Sequence, residues 1–115
     1  MKNLNDIKTR FLKDPFNIKI GNLAAGLARL SSFSKNPKNR EAVRDILEES
    51  KFFIEWIAPG APLEVQTLLS EIQPKLALWQ FHLVHEKKDP EEMNELRKMA
   101  KSWSAHLIKS SGLIA

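Results

Sequence analysis

The sequence predicts an all-α fold: an antiparallel up-down four-helix bundle preceded by a short N-terminal helical arm, with all 115 residues in one domain. Three observations lead there. Turn signals divide the chain at Asp14-Pro15, Asn36-Pro37, Pro59-Gly60-Ala61-Pro62 and Asp89-Pro90, and the segments between them have helical length. Within each segment apolar residues return every three or four positions. Nowhere do apolar and polar residues alternate long enough to make a strand.

The arm is residues 1–14, where Leu4, Ile7 and Phe11 share one face of a short helix; the bundle is residues 15–115. Its first helix carries Ile20, Leu23, Leu27 and Leu30 in one stripe, interleaved with Gly21, Ala24, Ala25, Gly26 and Ala28. A helical glycine costs about 1 kcal/mol relative to alanine, so this small-residue face implies a compensating close helix contact or a bend. The second helix opens at Asn36, whose side chain can cap free amides, with Pro37 at the first helical position. Val43, Ile46, Leu47, Phe53, Ile54 and Ile57 form its stripe.

The third helix, Leu63 to Glu86, buries Val65, Leu69, Ile72, Leu76, Trp79 and Leu83. Pro74 lies inside it. Proline lacks an amide hydrogen and its ring meets the carbonyl four residues back, that of Ser70, so a kink is expected there. The fourth helix repeats the Asn36-Pro37 signal as Asp89-Pro90 and aligns Met93, Leu96, Ala100, Trp103 and Leu107, with Glu91, Glu92, Glu95, Lys98 and Lys101 on its other faces. Four such helices joined by short turns pack most simply with their stripes inward.

Two segments, NLAAGLARLSSFS (22–34) and EESKFFIEWIAP (48–59), resemble small all-helical cyanobacterial proteins of unknown function. The resemblance implies a cytoplasmic helical bundle and brings no site residues with it.

Composition removes several chemistries. Without cysteine there is no disulfide framework, thiolate zinc site or cysteine nucleophile. Gly-x-Ser-x-Gly is absent, and Ser102, Ser104 and His106 lie along one helix, where a serine has no oxyanion hole of backbone amides. The charged opening stretch does not read as a secretory signal, and no window of about 18 uncharged apolar residues could span a membrane. A cytoplasmic location is expected.

Metal binding is not expected either. His82, His85 and Glu86 cluster, but the remaining histidine, His106, would lie roughly 18 Å away along the bundle axis. His82 is expected on a helix flank, paired with Glu86 one turn on. Glu91, Glu92 and Glu95 serve the helix macrodipole better than a magnesium ion, since the facing candidates Glu48 and Glu49 fall at another height. No catalytic residue, metal or cofactor is assigned.

Charge and surplus hydrophobicity say more. Residues 1–40 hold nine basic and two acidic side chains, whereas residues 41–86 hold three and eight. The bundle gathers Lys35, Lys38, Arg40, Lys87 and Lys88 at one pole, a candidate site for an anion or nucleic acid. Glu41, Glu91 and Glu92 oppose it, and no aromatic residue is interleaved for base stacking. Between Leu76 and Val84 the sequence LALWQFHLV is apolar nearly all round. Leu78 and Phe81, with Phe52 and Trp56 on the second helix, form a candidate interface that the arm or another chain must cover. The expected function is therefore a non-catalytic interaction or adaptor module, self-associating as a homodimer or binding a protein partner. The alternative is an anion or nucleic-acid binding module using the basic pole.

Overall fold

Helix starts follow the capping chemistry. In the computed structural model, which describes residues 3–85 and 89–111, Asn3 Oδ1 accepts from the amides of Asn5 and Asp6 and opens α1 (Leu4–Lys13). Pro15 precedes α2 (Phe16–Phe33). Asn36 Oδ1 accepts from the Lys38 amide as expected, but the chain first makes a 3-10 turn, Pro37–Asn39, before α3 (Arg40–Ile57). A second 3-10 turn, Ala58–Gly60, leads to α4 (Leu63–Val84). Asp89 caps α5 (Pro90–Ser111) by accepting from the Glu92 amide at 3.1 Å. Helix accounts for 91% of the described residues and no strand occurs among them, so the all-α class holds.

The helix α4 runs unbroken through Pro74, which faces solvent. On the outer side of a helix the ring's displacement of one carbonyl is tolerated because water can solvate it.

Helix α2 packs against both α3 and α5, and α4 packs against both α3 and α5. The reason lies in α2's composition. Ile20, Leu23, Ala24, Leu27 and Leu30 are fully buried. The small-residue face divides: Gly26 meets α3, where a Cβ would come 3.3 Å from Ser50 Oγ, and Ala24 meets α5, where Ser104 Oγ donates to its carbonyl at 2.7 Å. Ala25 and Ala28 point outward and take no part. From the other elements Leu47, Leu69, Ile72, Leu76, Trp79, Leu96, Ala100 and Leu107 complete one core.

The arm docks through an aromatic cluster. Phe11 is buried, stacked on Phe53 with centroids 4.1 Å apart and tilted against Trp56 at 5.6 Å. It therefore covers the α3 side of the expected surplus face, leaving Trp56 and Phe52 half-buried and stacked on each other. On α4, Leu78 is half-buried and Phe81 is 45% exposed, with His85 against its ring at 4.3 Å.

Candidate functional site

The turn after α2 and the start of α5 meet at one end of the molecule, beside the end of α4 and the beginning of α3. There they enclose a cleft of about 560 Å³. Its rim is polar: Ser34, Lys35 and Asn36 from the turn, Arg40 from α3, Asp89 and Arg97 from the α5 side. Its walls are apolar, with Pro37, Val43, Leu83, Pro90 and Met93, and Trp79 and His82 also line it.

Two arginines hold this end together. Arg97 reaches across 63 residues to the end of α2, its Nε donating to Ser34 Oγ at 3.2 Å and another nitrogen to the Ser34 carbonyl at 3.4 Å, while Asn94 Oδ1 accepts from it at 2.7 Å. Arg40 donates to the Leu83 carbonyl at 2.6 Å, at the end of α4. Each guanidinium thus sits where a helix presents unsatisfied carbonyls and the negative end of its macrodipole. The positive end of α5 opens on the same cleft.

Trp79 and His82 carry the unexpected chemistry. Trp79 is 1% exposed and His82 9%. Neither the indole Nε1 nor the imidazole Nδ1 has a hydrogen-bond partner among the described residues. Leaving such a group buried and unpaired costs about 1–3 kcal/mol, and most proteins avoid it. His82 Nε2 lies 3.0 Å from Glu92 Oε2, close enough for an ion pair but without hydrogen-bond alignment.

The expectation for His82 is thereby corrected. It is a buried residue facing Glu92 of α5 rather than a flank residue, because position 82 follows Trp79 by three and so turns with Trp79 toward the interior. Glu86 lies outside the described residues, as do Lys87 and Lys88 of the candidate anion site. Of the other members, Lys35 and Arg40 line the cleft, and Lys38 is exposed outside its lining. His85 and His106 are exposed, and no group of three metal-ligating side chains converges among the described residues. Sequence reasoning missed Trp79, His82 and Arg97 as members of this site. The 79-to-82 spacing was the available signal for His82; the Arg97 to Ser34 contact had none.

Among the described residues no helix is long and apolar enough to cross a membrane. Comparison with known protein families, curated proteins and solved structures finds no match to this chain.

Proposed function

We propose that this chain is a non-catalytic, cytoplasmic binding module, built as an antiparallel four-helix bundle with a docked arm, whose working surface is the cleft at its basic pole. The closed circuit of helix contacts, α2 to α3, α3 to α4, α4 to α5 and α5 to α2, supports the bundle. One observation carries the functional reading: Trp79 and His82, whose side chains hold buried nitrogens without a partner among the described residues, line a cleft rimmed by Lys35, Arg40 and Arg97. An anion supplies both the acceptor and the charge that such a site favours.

The test is an NMR titration with inorganic phosphate and with benzoate. At least one should shift the amides of residues 34–36 and 40 saturably, and Lys35→Gln with Lys38→Gln should weaken binding without lowering stability by more than about 0.5 kcal/mol per charge, since exposed turn charges contribute little. Absence of any shift up to high millimolar anion would end this reading.

A second reading is protein association through the outer face of α4. Phe81 is 45% exposed and Val84 68%, about one turn apart, and half-buried Leu78 lies one turn before Phe81. On this reading two copies pair through that face. Light scattering should then show a dimer, and Phe81→Asp should give a monomer with an unchanged helical circular dichroism spectrum. A monomeric wild type at high concentration rejects the pairing.

A further inference from the structure

Resting on the cleft reading above, we infer that the ligand of this pole is a small organic carboxylate with an apolar body, seated so that a carboxylate oxygen accepts from Trp79 Nε1. The indole N–H is a donor only, so its complement must be an acceptor. It is buried and has no partner among the described residues. His82, in the same lining, holds a second buried nitrogen without a partner among the described residues, Nδ1, its other nitrogen being turned to Glu92.

The walls specify the rest of the ligand. Val43, Leu83 and Met93 offer apolar contact, and about 560 Å³ is within the range of small-molecule sites. Trp79 Nε1 is itself sealed from solvent, so the ligand must part the floor to reach it. Met93 and Leu83 are half-buried, and the unbranched thioether of Met93 moves between rotamers with little strain.

Charge selects a single carboxylate over a polyanion. Lys35, Arg40 and Arg97 are present, but Asp89 lines the same cleft and the Glu92 carboxylate stands behind His82. A chain of phosphates laid across the pole would meet both carboxylates, whereas a ligand with one compact negative charge meets fewer like charges.

The experiment is a benzoate titration of the full chain, observed at the indole N–H signals of Trp56, Trp79 and Trp103, with inorganic phosphate and a single-stranded oligonucleotide as parallel probes. Trp79→Phe assigns the Trp79 signal. Benzoate should move that signal saturably in the wild type, and the variant should bind benzoate about five-fold more weakly, the loss of one hydrogen bond. If benzoate or phosphate shifts residues 34–36 and 40 while the Trp79 indole stays in place, the pole binds anions but the inference is wrong. If the oligonucleotide binds more tightly than benzoate, the polyanion takes precedence and the inference is equally wrong. If no probe shifts anything, the cleft reading itself fails. Unchanged benzoate affinity in a folded Trp79→Phe protein means that the indole N–H does not hold the ligand, and it too overturns the inference. Should the variant not fold, the wild-type indole shift still decides.

Discussion

Gly26→Val is expected to lower stability by about 2–3 kcal/mol, while Gly26→Ala changes it by less than about 1 kcal/mol. The two substitutions share a backbone and differ in how far they reach toward α3. A Cβ at position 26 would stand 3.3 Å from Ser50 Oγ and 3.7 Å from Ile46 Cγ2. Alanine gains about 1 kcal/mol in helix propensity over glycine and needs Ser50 to give by a few tenths of an ångström, so the two effects nearly cancel. Valine adds two further carbons between helices that have no room, with Ser50 only 2% exposed and Leu23, Leu27 and Leu47 fully buried nearby. Chemical denaturation measures both variants. Adding Ser50→Gly to Gly26→Val should restore at least part of the loss, since the two residues meet and their effects cannot be additive. A valine variant as stable as wild type would show that α2 and α3 are not held this close in solution.

That contact also marks what the sequence could and could not disclose. The stripes of α2, α3 and α5 were readable because their apolar residues keep to one side: Ile20, Leu23, Leu27 and Leu30 are all fully buried. Gly26 was readable as a close contact but not as a contact with Ser50, because the partner of a small residue is set by how helices pair. Helix α4 was the least legible. It is apolar on several sides, and the neighbours decide that Trp79 and His82 turn inward while Phe81 and Val84 stay exposed.

The candidate site was legible only in its charges. Lys35 and Arg40 were visible as a basic cluster at a turn, and proline-marked helix starts placed two turns at one end. The cleft itself was not. It depends on Arg97 reaching Ser34 over 63 residues and on Glu92 facing His82, contacts between positions that no periodicity relates. Buried polar groups follow the same 3-4 spacing as their apolar neighbours, as Ser104 does beside Trp103 and Leu107, so a pattern search treats them as gaps in a stripe.

Phe11→Ala is expected to detach the arm while the remaining helices stay folded. A ten-residue helix is marginal in water, so α1 depends on docking, and its docking rests on Phe11, which is 4% exposed, with Ile7 packed beside it. Truncating a buried phenylalanine costs about 3–5 kcal/mol where the whole fold depends on it. Here the cost is capped by the free energy of docking. Leu4 and Leu12 are 36% and 45% exposed and contribute little, so about 2–3 kcal/mol is the expected loss, borne by the arm first. Hydrogen exchange should show rapid exchange at residues 7–13 with protection retained in α2 and α5, and far-ultraviolet circular dichroism should lose the signal of about ten residues. Undocking uncovers Phe53 and Trp56, which the Phe11 ring covers in the wild type. The variant should therefore self-associate more strongly than wild type, through α3 rather than α4, and adding Phe81→Asp should not reverse it. Uniform loss of protection across all helices would instead make the arm part of the cooperative core.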